Sequence, residues 1–312
     1  MSQITDTILM VRPRHFGFNP ETANNNSFQT NDSSLSREDI RQKAREEFDA
    51  FVAKLRDAGM RIIVVEDSDE PVKTDAVFPN NWFTTHQDGT LITYPMFSPV
   101  RRTERQAYVI EQLNAVYKIT RWVHLENKEL EERFLEGTGS MILDRVYRVV
   151  YACRSIRTDG GLLDEFCRWR GYEMVLFDAY DREGIPIYHT NVMMALGLNF
   201  VIICMEAIHN EEQRLHLAEC FDRTGKEVIT ISLDQMNAFA GNMLQVRSAV
   251  DASTNYLVMS EQAYLSLYPE QIERIERHSR ILYSPLNTIE TYGGGSARCM
   301  MAEIFLGMRN EE

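Results

Sequence analysis

The sequence lacks a surplus of positive charge and any long apolar run. Its 33 lysine and arginine residues are outnumbered by 46 aspartate and glutamate residues, which gives a net charge of −13 at pH 7. A protein of this sign repels polyanions, so we expect no nucleic-acid partner. No apolar run approaches the roughly 20 residues that cross a bilayer, and residues 1–10 show no signal-peptide pattern. We therefore expect a cytoplasmic protein that does not bind membranes.

Cysteine pairs with metal-site or redox spacing are also missing. The five cysteines are odd in number and include no C-x-x-C motif, which predicts neither a disulfide framework nor a structural zinc site. No H-x-x-x-H or H-E-x-x-H spacing occurs either, so we expect no metal and no organic cofactor. With 44% hydrophobic and 25% charged residues, the composition is that of an ordinary globular protein. We treat residues 1–312 as a single domain.

What the sequence does contain is an internal repeat of about 55 residues. Short runs rich in β-branched or aromatic residues begin at Arg61, Tyr117, Tyr172, Glu227 and Arg280. The successive offsets are 56, 55, 55 and 53 residues. Such a period is the signature of one supersecondary unit used several times.

Each run follows a segment with helical periodicity. The first has an apolar stripe at Ile40, Ala44, Phe48, Phe51 and Leu55. Ser36 is placed to cap the start of this helix and Gly59 its end. The other predicted helices are Thr103–Ala115, Leu162–Trp169, Glu211–Arg223 and Glu270–Arg277.

Hairpins complete the repeat. Asp88-Gly89 is a hairpin turn between two strand-like runs, and Asp144-Arg145 and Gly197 separate two further pairs. The run Asp6–Val11 has no partner near the start of the chain, and the fifth unit ends after one hairpin strand. The two chain ends can therefore complete one hairpin, which predicts a closed ring of five α/β units.

In such a ring, the polar or glycine-bearing clusters that precede the hairpins converge at one end of the central axis. In chain order the clusters are Phe78–Trp82, Glu136–Ser140, His189–Asn191, Gly241–Asn242 and Gly293–Cys299. Cys299 follows three glycines and Arg298, whose positive charge would favour a thiolate. His189 can transfer protons near neutral pH, and Glu136 can orient its ring. Together they predict a catalytic thiol, imidazole and carboxylate.

These motifs resemble the pentein superfamily, which includes arginine deiminases, dimethylarginine hydrolases and amidinotransferases. Gly293–Met300 is similar to the C-terminal nucleophile motif of that superfamily, Glu136-Gly137 to its triad acid, and His189 to its H-x-D histidine. Ser155–Thr158 is similar to the S-x-R-T segment whose arginine, here Arg157, holds the substrate carboxylate. The resemblance implies an α/β fold of the pentein type, a five-bladed α/β propeller of ββαβ modules with pseudo-fivefold symmetry.

The chain departs from arginine deiminases at two positions. Asn81 and Asn191 stand where those enzymes have aspartates that grip the guanidinium. A neutral amide cannot match a carboxylate as a partner for a cation. It offers both a donor and an acceptor to a neutral ureido group. This pattern, like the stretch Thr22–Gln29, is similar to the citrulline-hydrolysing branch. Asn80 and Arg298, the neighbours of Asn81 and Cys299, complete the expected substrate-binding residues.

We therefore predict a cysteine-dependent hydrolase of a C–N bond in a ureido or guanidino amino acid. Citrulline is the preferred substrate, with ornithine, ammonia and carbon dioxide as products. One alternative is a guanidino deiminase or amidinotransferase, and another is a catalytically silent pentein that only binds ligands. We expected Asn242 to be structural and Asn24–Asn26 to form an irregular loop. A homodimer is possible.

Overall fold

The computed structural model describes residues 2–23, 26, 28–31 and 34–309. Within these ranges the chain forms five three-stranded sheets. In chain order, the strands are β1 (Thr7–Arg12), β2 (Arg61–Glu66), β3 (Phe83–Thr85), β4 (Thr90–Thr93), β5 (Arg121–His124), β6 (Ile142–Asp144), β7 (Val149–Cys153), β8 (Glu173–Phe177), β9 (Met194–Leu196), β10 (Phe200–Ile203), β11 (Glu227–Thr230), β12 (Leu244–Arg247), β13 (Asn255–Ser260), β14 (Arg280–Ser284) and β15 (Ala302–Glu303).

Helices connect and cover these sheets. The α-helices are α1 (Pro20–Ala23), α2 (Arg37–Asp57), α3 (Pro99–Arg102), α4 (Ala107–Val116), α5 (Gly137–Ser140), α6 (Gly160–Arg170), α7 (Thr190–Met193), α8 (Glu211–Arg223), α9 (Leu233–Asn237), α10 (Glu261–Ser266), α11 (Pro269–Glu276) and α12 (Asn287–Gly293). Short 3₁₀ helices cover Pro79–Asn81, Glu126–Glu131 and Met205–Ala207.

Every sheet has the same construction. An antiparallel pair supplies two strands, and a helical crossover returns the chain to add a third strand parallel to the central one. A parallel pair requires such a long crossover, which explains why a helix precedes each predicted run. The repeat of about 55 residues is therefore one sheet with its helix.

The first sheet is assembled from both ends of the chain. β15 pairs antiparallel with β1, with Ile8 opposite Glu303 and Leu9 opposite Ala302. β1 in turn pairs parallel with β2 through α2. The prediction that the two chain ends complete one hairpin is confirmed.

Helix α2 shows why the sequence pattern was informative. The Ser36 side chain accepts a hydrogen bond from the Asp39 amide at the N-cap, and Gly59 follows the helix with φ +86°. The predicted apolar stripe is buried, and Phe48 and Phe51 pack in one core with Ile8 and Met10 of β1. Burial of this stripe fixes the helix against its sheet.

Two strands begin three or four residues later than the sequence predicts. β5 starts at Arg121 rather than at Tyr117, because the Tyr117 amide still bonds to Leu113 at the end of α4. β7 starts at Val149 rather than directly after the predicted turn at Asp144-Arg145, because Arg148 adopts φ +61° and lengthens that turn. Both differences come from local backbone bonding or conformation that side-chain alternation does not reveal.

Candidate active site

The five polar clusters occupy equivalent places in the fold. Each is followed, after at most two further residues, by one strand of an antiparallel pair: Trp82 precedes β3, Ser140 precedes β6, Asn191 precedes β9, Asn242 precedes β12 and Cys299 precedes β15. Equivalent places in like units bring side chains from distant parts of the chain to a common region.

Contacts link each cluster to the next. Asn80 donates its Nδ2 to Thr138 Oγ1 at 3.2 Å, which joins the first cluster to the second. Asn242 bonds to both the third and the fifth clusters. At Gly295, a Cβ would lie 2.9 Å from the Phe78 ring, so the fifth cluster packs against the first. These contacts show that the clusters converge, as the sequence predicts.

Glu136 and His189 form a buried, directly bonded pair. His189 Nε2 lies 2.7 Å from Glu136 Oε2. The second carboxylate oxygen, Oε1, accepts the backbone N–H of Phe97 at 2.8 Å. Because an ionised carboxylate only accepts hydrogen bonds, Nε2 carries the proton of this pair. The other ring nitrogen, Nδ1, is left free to act as a base.

The local electrostatics keep Glu136 ionised and His189 neutral. Burial raises the pKa of Glu136, but the nearby Arg157 guanidinium and the His189 bond outweigh it and hold that pKa below its usual range. Burial lowers the pKa of His189, and the bond to Glu136 opposes this only in part. A neutral imidazole oriented by a carboxylate is the state a general base requires.

Cys299, the predicted nucleophile, lies in a turn that glycine makes possible. Helix α12 ends at Gly294, which adopts φ +62°, and the chain then turns through residues 296–301 to reach β15. The Tyr188 hydroxyl donates to the Gly294 carbonyl at 2.6 Å. The Asn26 side chain also donates to this carbonyl, at 3.3 Å. These bonds fix the loop that carries Cys299.

Two asparagine amides point at the sulfur. Asn191 Nδ2 lies 3.5 Å and Asn242 Nδ2 3.3 Å from Cys299 Sγ. N–H donors stabilise the thiolate form of a cysteine. Asn242 was not among the residues predicted for the site. Its place in the fourth cluster was the available signal, since the other clusters supplied candidate site residues.

Asn80 and Asn81 lie on the 3₁₀ turn before β3, close to the triad. A Cβ at residue 139 would collide with Asn81 Nδ2 and with the His189 ring at Nδ1, so Gly139 lets both groups approach one another. Among the described residues, Asn80 Oδ1, Asn81 Nδ2 and Asn191 Oδ1 have no hydrogen-bond partner although all three atoms are buried. Such groups are rare in native proteins and indicate a ligand-binding position.

The two arginines predicted to bind substrate, Arg157 and Arg298, make different contacts. Arg157 is buried, with Nη1 3.6 Å from Glu136 Oε2 and its guanidinium over the Tyr188 ring. The structure therefore brings it to the triad. Arg298 donates from Nη1 to the Met301 carbonyl and from Nη2 to Glu303, each at 2.8 Å. The Arg298 guanidinium thus bonds to Met301 and Glu303, two residues that follow Cys299 in the chain.

The site is closed in this structure. Cys299, His189 and Asn81 are each 2% exposed. Residues near the start of the chain contribute to the covering layer: the Phe28 ring packs against Tyr188 and Phe239, and Gln29 donates to the Tyr292 carbonyl. Of the predicted Asn24–Asn26 loop, Asn24 and Asn25 lie outside the described residues.

Neither a metal cluster nor a membrane helix is found in the part of the chain that the structure describes. Within the described ranges, no group of three or more His, Cys, Asp or Glu side chains is arranged to hold a metal ion. Likewise, none of the helices in the described part of the chain has the length and hydropathy needed to cross a bilayer.

Comparison with solved structures places the fold. The chain superposes on the N-terminal domain of ArgZ, an arginine dihydrolase from the ornithine-ammonia cycle in Cyanobacteria, with a TM-score of 0.70 and 17% identity, covering 96% of this chain and 99% of that one. The cysteine-to-alanine mutant of AgrE, solved in complex with L-arginine, superposes with a TM-score of 0.73 and 18% identity. The superposition covers 98% of this chain and 41% of that one. This chain spans only 40% of the length of the ArgZ chain that was solved in the apo state, and 41% of the length of AgrE.

A third structure is dimethylarginine dimethylaminohydrolase, a histidine-to-glycine mutant with an S-methyl-L-thiocitrulline adduct. Its TM-score is 0.63 at 14% identity, and the superposition covers 96% of this chain and 99% of that one. No curated protein sequence matches the chain. The sequence profile of N,N dimethylarginine dimethylhydrolase, eukaryotic, matches residues 12–306. The chain therefore belongs to the N,N dimethylarginine dimethylhydrolase family of the pentein superfamily, whose enzymes hydrolyse C–N bonds.

Proposed function

We propose that the protein hydrolyses citrulline through a covalent intermediate on Cys299. Citrulline and one water molecule give ornithine, ammonia and carbon dioxide. The observation that carries this proposal is a pair of unpartnered buried amide groups, Asn81 Nδ2 close to the His189 ring and Asn191 Oδ1 on the amide that contacts the thiol.

These two groups complement a ureido group. Asn81 Nδ2 is a free donor suited to the ureido carbonyl oxygen, and Asn191 Oδ1 is a free acceptor suited to a ureido N–H. The Asn191 amide also bonds to Cys299 Sγ through Nδ2, so the group it accepts would lie beside the sulfur. A buried donor left unpaired costs about 1 to 3 kcal/mol, which a matching ligand recovers.

The other end of an amino acid finds a buried ionic cluster. Asn19 donates to Asp75 Oδ2 at 2.6 Å, and Asp75 Oδ1 has no partner among the described residues. Arg101 lies 3.9 Å from Asp75 and, with Arg157, helps to lower the pKa of Glu136. We assign Asp75 to the substrate ammonium and the two arginines to its carboxylate. Ion pairing within the closed site would compensate for the desolvation of both ends.

The first chemical step forms a carbon–sulfur bond. Cys299 first transfers its thiol proton to His189 Nδ1, and the resulting thiolate attacks the ureido carbon, so that the C–N bond to the departing nitrogen breaks. His189 gives that nitrogen the proton it needs to leave as a neutral amine or ammonia. Asn81 Nδ2 donates to the oxygen on which negative charge develops. The product of this step is a thiocarbamoyl enzyme.

The second step uses water. His189 Nδ1, now unprotonated, takes a proton from water, whose oxygen attacks the thiocarbamoyl carbon and displaces Cys299 as a thiolate. The released carbamate loses carbon dioxide and leaves the second amine. Glu136 keeps the ring oriented through both proton transfers because its bond to Nε2 does not change.

Arginine is the second candidate substrate, because ArgZ is an arginine dihydrolase and AgrE was crystallised with L-arginine. Two unpartnered acceptors, Asn80 Oδ1 and Asn191 Oδ1, could receive guanidinium N–H groups. Asparagine supplies no negative charge for this cation, which is why we prefer citrulline.

The test is a parallel assay under EDTA. Purified protein is incubated with citrulline, arginine or agmatine, and ornithine, ammonia and urea are quantified against a Cys299→Ala control. Equal ornithine and ammonia from citrulline, with no turnover of arginine, supports the proposal. Turnover of arginine but not citrulline supports the second candidate. No turnover of any of the three contradicts both.

We also infer that the five sheets close into one five-bladed propeller of ββαβ modules that forms a single domain. The pairing of β15 with β1 and the contacts that run from cluster to cluster support this inference. Limited proteolysis that yields two independently stable fragments would contradict a single domain.

A further inference from the structure

A small cavity lies behind the catalytic clusters and is not used by the proposed reaction. Its volume is about 30 Å³, whereas one water needs roughly 10 to 15 Å³. Its polar lining consists of Gln3, Thr138, Arg145, Gln245, Arg298 and Glu303. These residues come from three of the five sheets or the segments next to them, so the cavity lies where those units meet.

Arg145 is a buried cation at this cavity with little to balance its charge. It is 5% exposed, and its side chain makes one hydrogen bond, from Nη1 to His86 Nδ1 at 3.3 Å. Its guanidinium also lies over the Phe305 ring, 4.0 Å from the centroid. No carboxylate in the described ranges lies within ion-pairing distance of Arg145. A guanidinium stays charged, so its burial without an anion is unfavourable.

The remaining charges of the lining do not compensate. Arg298 is paired with Glu303 at 2.8 Å, so this carboxylate balances the charge of Arg298 and not that of Arg145. Asp144, the residue before Arg145, is paired with Lys226 at 3.2 Å. Burial and the Arg145 charge both lower the pKa of His86, which keeps that imidazole neutral. The cavity lining therefore carries one uncompensated positive charge.

The neutral side chains of the lining are already hydrogen-bonded. Gln3 donates to the Leu143 carbonyl and accepts from the Arg145 amide. Gln245 donates to Ser279 and accepts from the Leu198 amide. Thr138 bonds to Asn80. The unused donors that face the cavity thus belong to the guanidinium groups.

We propose that this cavity binds one small monovalent inorganic anion, of the size of chloride, between the guanidinium groups of Arg145 and Arg298. The anion supplies the negative charge that the lining lacks, and charge-assisted N–H donors hold it. Glu303 limits its affinity because its carboxylate competes for the same cations.

Bromide is the probe that tests this site. A crystal of the protein soaked in bromide should show an anomalous peak between Arg145 and Arg298. In solution, bromide added to protein in gluconate at constant ionic strength should raise the melting temperature with a saturable midpoint. Without the anomalous peak, or without a melting response beyond that of gluconate, the cavity holds only water and the proposal is wrong.

Variants with opposite expected effects keep the test decisive. Arg145→Gln should raise the bromide midpoint at least tenfold, whereas Glu303→Gln should lower it because a competing carboxylate is lost. Arg154→Gln, an exposed arginine paired with Asp178, is the matched control and should keep the wild-type midpoint. If Arg145→Gln does not fold, an unchanged midpoint in Glu303→Gln still refutes the site.

Discussion

At the scale of residues, we expect single side chains around Cys299 and His189 to determine which substrate the proposed site accepts. Changing both Asn81 and Asn191 to Asp places carboxylates at the two unpartnered amide positions. We expect the ratio of kcat/KM for citrulline to that for arginine to fall at least tenfold, because carboxylates favour a cation and leave a neutral ureido group poorly matched. Steady-state assays with both substrates measure this ratio.

Asn237→Asp, an exposed substitution elsewhere on the surface, controls for added negative charge and should keep the wild-type ratio. If the double variant retains its preference for citrulline, the two amides do not determine specificity. Each single variant is measured as well, since two buried charges can unfold a protein that tolerates one.

Asn242 is the residue whose function the sequence did not reveal. Its Nδ2 contacts Cys299 Sγ and the Asn191 carbonyl, and its Oδ1 accepts the Arg298 amide. Asn242→Ala removes a donor to the thiolate, a bond to a charged group worth about 1.5 to 3 kcal/mol. We expect alkylation of Cys299 by iodoacetamide at pH 7 to slow about tenfold and to recover at higher pH.

Gln245→Ala provides the comparison for Asn242→Ala. Gln245 is also buried and also bonds to backbone and side chain, but it does not contact Cys299. A general loosening of the fold would change alkylation equally in both variants, whereas a thiolate-stabilising role would slow it only in Asn242→Ala.

At the scale of elements, helix α12 connects stability to pH. Glu290 in this helix accepts the Ser296 hydroxyl at 2.5 Å, and burial raises its pKa from 4.5 to about 7. Between pH 4.5 and about pH 7, Glu290 is protonated in the folded protein and ionised in the unfolded chain. The contribution of Glu290 to the free energy of unfolding therefore falls as the pH rises through this range. Above pH 7 both states are ionised, and the cost reaches about 3 kcal/mol.

Glu290→Gln removes this titration. We expect its free energy of unfolding in urea to equal that of the wild type near pH 4.5 and to exceed it by about 3 kcal/mol at pH 8. Glu276→Gln, at an exposed position in α11, should follow the wild type at both pH values. A difference for Glu290→Gln that does not change with pH would mean that Glu290 is ionised throughout.

Helices and strands were predictable where a regular spacing of apolar residues marks the face that is buried. The apolar stripe of α2 and its Ser36 cap depend only on residues that are close together in the sequence, so both could be predicted. Helix α8 begins and ends at its predicted residues. The site was predictable to the extent that each repeat supplied one cluster. Contacts between repeats were not, because the Nδ2 bonds of Asn242 to Cys299 and Asn191 join residues more than 50 positions apart. The same reason explains why the bonding of Arg298 to Glu303 was missed.

Across the whole molecule, we expect the five cysteines to divide into one reactive thiol, Cys299, and four unreactive thiols, although all five are buried. Cys153, Cys204 and Cys220 lie in one core and Cys167 in another. Burial raises the pKa of Cys153 and Cys167 to about 12 and that of Cys204 to about 11. Such thiols are poor nucleophiles near neutral pH.

We therefore expect a haloacetamidine probe to label the native protein once, on Cys299, and an alkylating reagent to label the denatured chain five times. Mass spectrometry of the labelled peptides measures both numbers. Equal labelling of native wild type and Cys299→Ala would show that the reactive thiol is elsewhere.

The pairing of β15 with β1 sets an order for maturation during translation. Four sheets draw their strands from consecutive stretches and can form as the ribosome releases them, but β1 lacks its antiparallel neighbour until residues 302–303 emerge. Cys299 lies three residues before that strand. We therefore expect Cys299, the proposed nucleophile, to reach its final position only after the other four sheets have formed.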